Sequence, residues 1–267
     1  MLEPQKQNNL KGADQPHYSE EIALQNLGAQ SELSDQYYAA WWLGKMRSRH
    51  PETIPLLLNK LRIFNQQHIS LEERGIALNA IRALGKLDAV EAVQPLIKLL
   101  QRHDVQIQTE AACSLGTLKA SQAIPSLLST FRSVQCIDDQ QTGRLNELKA
   151  ALIKAIGVIG TKDQSVIDVI KGLAGHPTPQ LRSASCCAMV LLTNDSGWIT
   201  TISDLLNHRE PLVRRSAMLD LGTSGHPDAL EAIEAAAVES SLKLIALKAL
   251  AEHTTNDAIF DAMDRLL

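Results

Sequence analysis

At 267 residues the chain exceeds the usual length of one domain, yet no change of composition divides it, which favours an elongated repeat array over two globules. Lys and Arg total 26 against 30 Asp and Glu, and the net charge of −4 argues against a partner held by its phosphates, such as nucleic acid. No apolar run reaches the ~20 residues of a membrane span and no basic-then-apolar leader opens the chain, so a soluble, cytoplasmic protein without membrane contact is expected.

Residues 1–19 are polar, carry Pro4, Gly12 and Pro16 and lack periodicity, the composition of a disordered N-terminal tail. From 20 to 267 the chain repeats itself as one domain. The landmark is an apolar residue followed by glycine near the end of a helix: Leu43-Gly44, Leu84-Gly85, Leu115-Gly116, Ile156-Gly157 and Leu221-Gly222. The glycines are spaced by 41, 31, 41 and 65 residues, the last covering two units, with Val190 marking the unit whose glycine is replaced. A run from Lys243 to Glu252 ends the series.

An apolar helix is expected before each landmark helix, over 51–63, 89–102, 120–132, 163–174, 198–207 and 227–238, and a short one over 20–27 opens the series. The fold is therefore all-α, a HEAT-like α-solenoid of about seven helical hairpins. Pro51, Pro177, Pro211 and Pro227 fall where helices begin. Pro95 and Pro125 fall inside expected first helices and read as recurring kinks.

One stretch departs from this plain scaffold. Of nine Phe, Trp and Tyr residues, four lie within six positions: Tyr37, Tyr38, Trp41 and Trp42. Helical spacing of four predicts that Tyr37 stacks with Trp41 and Tyr38 with Trp42, an aromatic wall. Aligning the second helices on the landmark puts Ala39 in a column with Ala80, Ala111, Leu152 and Ala217, and Leu43 with Leu84, Leu115, Ile156 and Leu221; both columns are core. Tyr38 shares its column with Asn79, Glu110, Ala151 and Ser216, and Trp42 with Ala83, Ser114, Ala155 and Asp220, small or polar residues that mark surface positions. Trp41 aligns with Arg82, Cys113, Lys154 and Leu219. The rings are read either as a cap on the open end of the first repeat or as a flat apolar shelf on the concave side.

Two longer connections, 64–70 and 134–143, are expected to extend one rim of the stack. Four cysteines show no C-x-x-C pairing, so neither a metal site nor a disulfide framework is indicated; Cys113, Cys186 and Cys187 read as core and Cys136 as a free thiol in a loop. His103, His176 and His208 recur at inter-helix turns and read as punctuation rather than catalytic bases. Arg182, Arg214 and Arg215 open second helices and read as structural. Arg74, Asn79 and Arg82 follow the first long connection, on the helix next to the aromatic wall, where a cation beside a flat apolar surface suits a flat ligand bearing carboxylates. No nucleophile elbow, phosphate loop or metal motif is present, so no catalytic residue is assigned.

The segments Y-Y-A-A-W-W-L-G-K (37–45), R-A-L-G-K-L (82–87) and K-L-I-A-L-K-A-L (243–250) resemble the E-type (alpha) subunit of the heterodimeric phycobilin lyases, HEAT-like repeat proteins. The resemblance runs over nearly the whole chain after the tail. It implies a cyanobacterial-type cytoplasmic enzyme subunit that works with an F-type partner in the phycobilisome antenna pathway. The pair would attach an open-chain tetrapyrrole of the phycocyanobilin type to a cysteine of a phycobiliprotein alpha subunit through a thioether, with or without isomerisation. The bilin is then substrate, no prosthetic group is required, and Tyr37, Tyr38, Trp41, Trp42, Arg74, Asn79 and Arg82 are the expected chromophore contacts. A non-catalytic adaptor in phycobilisome assembly or turnover is the alternative.

Overall fold

The glycine landmarks are explained by how closely successive second helices approach. A Cβ built on Gly44 would lie 2.6 Å from Ala83 Cβ, and one on Gly157 would lie 2.7 Å from Ala188 Cα, so any side chain there would force the helices apart. Gly85 meets Ser114, Gly116 meets Ala155 and Gly222 meets Ala246 in the same way.

The computed structural model describes residues 18–28, 31–66, 68–135, 143–254 and 256–267. Among them the chain forms fifteen α-helices and no strand. The first helices are α1 (Glu20–Gly28), α3 (Thr53–Lys60), α5 (Val93–Leu99), α7 (Ile124–Gln135), α9 (Gln164–Gly172), α11 (Gly197–Asp204) and α13 (Ala229–Ala235). Each is followed by its second helix: α2 (Leu33–Lys45), α4 (Leu71–Lys86), α6 (Val105–Thr117), α8 (Arg144–Ile159), α10 (Pro179–Thr193), α12 (Pro211–Ser224) and α14 (Ser240–Ala251). These make seven hairpins, closed by α15 (Asp257–Asp264), the all-α HEAT-like solenoid expected. The second helices pack one on the next in an unbroken file, whereas the first helices, beyond α1 and α3, scarcely touch one another. The file of second helices is therefore the shorter, inner arc of the stack.

Leu43, Leu84, Leu115, Ile156 and Leu221 are all buried, as their column predicts. Of the columns read as surface, that of Trp42 is not, and that of Tyr38 is mixed, with Asn79 and Ala151 buried but Glu110 and Ser216 partly exposed. Ala83, Ser114 and Ala155 are buried because they dock on the preceding helix beside its glycine, and they are small for that reason, whereas Asp220 follows the helix that lacks the glycine and is buried with Lys154 and Ser183 as its partners. Tyr38 and Trp42 stand at the same positions of α2, which among the described residues has no second helix before it.

Three residues beyond Gly44, Gly85 and Gly116 the backbone turns left-handed at Arg47, Asp88 and Lys119, and the amides of Ser48, Ala89 and Ala120 return to the carbonyls of Leu43, Leu84 and Leu115. Gly160 and Gly225 hold the corresponding place later in the chain. Pro179 and Pro211 open α10 and α12. The kinks expected at Pro95 and Pro125 are absent: both sit in the first turn of α5 and α7, just after short 3₁₀ segments, where a missing N–H breaks no helical bond. The histidine punctuation is visible as geometry at His176 and His208 of the three expected positions, and also at His50 and His226. His50, His176, His208 and His226 each accept, through Nδ1, the amide two residues on.

The tail expected over 1–19 lies outside the described residues except Tyr18 and Ser19, which belong to the folded body: Ser19 Oγ accepts the amide of Ile22 at the start of α1, and Tyr18 is taken up below. The first long connection holds a 3₁₀ turn over Leu61–Asn65 and ends at Ser70, which caps α4 reciprocally with Glu73. Most of the second, 136–142, and Cys136 with it, lies outside the described residues.

Candidate functional site on the inner surface

Helix α2 is the first of the inner file and presents its rings to solvent: Tyr37 is 48 % exposed, Tyr38 44 % and Trp41 43 %. Trp42 is half-buried and packs on the hydrophobic core. The rings pair differently from the expected i, i+4 stacks. Tyr38 lies against Trp41, three residues on, with centroids 5.3 Å apart, while Tyr18 closes edge-on onto Tyr38 at 4.7 Å and tilts onto Trp42 at 5.7 Å. Tyr38 and Trp42 are in this sense the cap on the open end of the stack, with Tyr18 as its lid, and Tyr37 with Trp41 forms the part turned to the inner surface. Tyr18 was not legible as a member because it is isolated in a polar segment. Gly75, also without a sequence signal, is what lets Tyr37 lie on α4: a Cβ there would come within 3.3 Å of the ring.

The three polar residues expected beside the rings have different fates. Arg74 is spent at the rim, donating Nε and Nη2 to both oxygens of Asp104 at 2.9 and 2.8 Å and Nη1 to Gln106. Asp104 also caps α6 through the amides of Gln106 and Ile107. Burial alone would push its carboxyl up, but Arg74 and these amides outweigh burial and hold it below the usual carboxylate range. Asn79 is buried, 3 % exposed, and so does not reach a ligand; its amide donates to the Tyr37 carbonyl at 3.1 Å and accepts from Arg82 Nη1 at 3.3 Å. It fixes α2 against α4. Arg82 alone of the three keeps a substantially exposed side chain, 40 %, and it pairs with Glu110 from α6. That hydrogen bond raises the guanidinium further.

The column of Trp41 continues along the inner surface through Arg82, Cys113, Lys154 and Cys187. Cys113, read as core, is exposed: it lines the inside of the curve, with Arg82, Glu110 and Lys154 nearest in charge, and the surrounding protein pushes its thiol up. Two steps further the column is sealed. Lys154 Nζ reaches over α10 to Asp220 of α12 at 3.0 Å, and Asp220, fully buried, accepts Ser183 Oγ at 2.7 Å. The Asp220 carboxylate raises the Lys154 ammonium. Cys187, adjacent to this pair, is fully buried and its thiol is pushed well up.

The open half of the inner surface thus offers three exposed rings, a guanidinium and a carboxylate, with a thiol beyond. Such a surface can stack a planar conjugated molecule and pair its acidic substituents. Two clefts lie elsewhere and adjoin along the rim, one lined by Phe64, Arg74 and Arg102 and the next by Gln108, Thr130 and Leu145. Among the described residues no group of His, Cys, Asp and Glu is placed to hold a metal ion, and no helix is long and apolar enough to cross a membrane.

Family models for HEAT repeats match residues 66–135, and the PBS lyase HEAT-like repeat matches 35–62 and 213–239. The chain is 43 % identical to the bilin biosynthesis protein RpcE of Synechococcus sp. WH8020, over 98 % of this chain and 100 % of that one. It is 36 % identical to the phycocyanobilin lyase subunit alpha of Nostoc sp. PCC 7120, over 95 % and 91 % of the two. Among solved structures, the complex of CpcE and CpcF of phycocyanin lyase from Nostoc sp. PCC7120 matches with a TM-score of 0.79 at 33 % identity, covering 98 % of this chain and 100 % of its counterpart.

Proposed function

The chain belongs to the family of phycocyanobilin lyase alpha subunits, and from that premise we propose how its inner surface serves bilin attachment. The protein is a lyase subunit that acts with an F-type partner. Residues 18–267 work in the cytoplasm as one repeat domain. The substrate is an open-chain tetrapyrrole of the phycocyanobilin type, held as substrate and not as a resident group. The acceptor is a cysteine thiol of a phycobiliprotein alpha subunit. The observation that carries this reading is the open end of the inner column, where Tyr37 and Trp41 lie exposed next to the available cation of Arg82.

The reaction asks little nucleophilic chemistry of this chain. The sulfur belongs to the acceptor, so catalysis rests on holding the pigment's ring edge in register with an incoming thiol. Tyr37, Tyr38 and Trp41 supply stacking area, and Arg82 supplies a bidentate donor for a propionate. Asn79 and Gly75 position Tyr37, and Trp42 with Tyr18 closes the end behind the rings. Arg74, committed to Asp104, serves the fold at the rim.

Coexpression with the F-type partner, a phycocyanobilin source and the apo alpha subunit tests the reading. Covalent pigment that survives denaturation is expected, and the denatured product's spectrum distinguishes attachment from attachment with isomerisation. Partner binding without pigment transfer under any bilin would instead establish an adaptor.

A further inference from the structure

Position 110 differs from its equivalents in the inner file. Where α6 carries Glu110, α2, α4, α8, α10 and α12 carry Tyr38, Asn79, Ala151, Ala184 and Ser216, so Glu110 is the one charged side chain among these six helices at this position. Its carboxylate is 20 % exposed and touches Arg82 through one oxygen; among the described residues its second oxygen has no partner. The contrast with Asp104 is direct, since both oxygens of Asp104 are used by Arg74 and one is shared with two backbone amides. Asp220 is likewise committed, to Lys154 and Ser183. Glu110 is moreover linked to the aromatic surface by a continuous hydrogen-bonded path: Arg82 donates to both Glu110 and Asn79, and Asn79 donates to the Tyr37 carbonyl. The groups that bear on it are Arg82 from α4, Cys113 one turn on along α6, and beyond these Tyr37 from α2 and Lys154 from α8.

Resting on the function proposed above, we infer that Glu110 is the carboxylate that receives the pyrrole N–H groups of the bilin while Arg82 pairs with a propionate. A tetrapyrrole protonated on its ring nitrogens is a cation, and a carboxylate set beside those nitrogens favours that form by charge and by hydrogen bonding. The cation is the better electrophile. As the acceptor's sulfur bonds to the exocyclic ethylidene carbon, the π pair of that double bond moves into the ring system. The thiol's proton ends on the adjacent ring carbon, so the step is an addition with no change of oxidation state overall.

The test is a pH titration of phycocyanobilin bound to the assembled heterodimer, read by its long-wavelength absorption. In E110Q the pH at which the cationic band is lost should fall by at least one unit and covalent transfer about tenfold, while pigment affinity changes less than threefold. A purely structural pair would leave the pigment's titration where it is in the native heterodimer, and that result overturns the assignment. If E110Q does not assemble, E110A titrated with and without formate gives the same reading: formate should restore the band, and failure to restore it in a heterodimer that binds pigment overturns the assignment. A native titration in E110Q together with lost binding in Trp41→Ala rejects Glu110 alone; a native heterodimer that binds no phycocyanobilin rejects the site itself.

Discussion

Cys113 and Cys187 stand at one register position of the inner file, two helices apart, yet the first faces solvent and the second is fully buried. What changes between them is the state of the polar side chains. In the open half the Arg82 and Glu110 pair bridges neighbouring helices and keeps donors and an acceptor uncommitted. In the sealed half Lys154 spans past α10 to Asp220, and Ser183 completes the set, so that both oxygens of the buried carboxylate are taken. The same column therefore binds at one end and holds the stack together at the other. The junction behind the seal needs holding, because there Val190 replaces the landmark glycine and the hydrophobic core divides into two clusters that meet in α10.

The contrast breaks most visibly at Asp220. Asp220→Ala leaves the Lys154 cation without its partner and Ser183 without its acceptor. A loss of about 3 kcal/mol is expected, at the low end for a buried pair since Lys154 is one third exposed. Thermal or urea denaturation measures it, and any pigment loss should follow the fraction unfolded. In the open half the order of effects reverses. Tyr37→Ala with Trp41→Ala should lower pigment transfer at least tenfold, about 1.4 kcal/mol, while stability changes by less than that amount.

The thiols sharpen the same contrast. In a Cys136→Ser background, Cys113 should react with a maleimide in the native protein and Cys186 and Cys187 only on unfolding. Burial raises Cys186, to about 11, and Cys187, and the protein around Cys113 raises it too, so native labelling of Cys113 should accelerate with rising pH. The ion pairs separate by pH. Lys154 is raised in the fold, so its contribution is intact below the free-amine value near 10.4 and is lost as alkali passes the folded value. Asp104 is lowered, so its contribution is intact above the free-carboxyl value near 3.9 and is lost as acid passes the folded value. Asp220→Ala should therefore flatten the alkaline limb of a stability profile and Arg74→Ala the acid limb. The smallest effect is expected at the helix ends, where Lys119→Gly or Asp88→Gly relieves a left-handed non-glycine residue at exposed positions and should raise stability by up to ~1 kcal/mol.

Much of this was legible because repetition converts position into environment. The apolar-Gly pair located five of the seven second helices and its doubled last spacing implied α10 between them, and close approach at Gly44 or Gly157 is a property that one residue type reports. The column of Trp42, and Asn79 and Ala151 in that of Tyr38, belied the surface reading because small size has two causes, exposure and tight packing, and the alignment does not separate them. Asn79 and Arg74 looked available for the same reason that Glu110 drew no notice: the sequence places side chains on faces, but which pairs are satisfied depends on the twist between hairpins. Tyr18 and Gly75 belong to the site through contacts across 20 and 38 positions of chain and carry no local pattern.

The central claim is that pigment binds at the open N-terminal end of the inner file. The chain has three tryptophans, Trp41 and Trp42 in α2 and Trp198 in α11, near the other end of the stack. Heterodimers in which Trp41 or Trp198 is the one tryptophan of this chain, assembled with a tryptophan-free partner, can be titrated with phycocyanobilin and followed by fluorescence. Strong quenching of Trp41 with Trp198 little affected is the predicted result; quenching of Trp198 equal to or greater than that of Trp41 would contradict it.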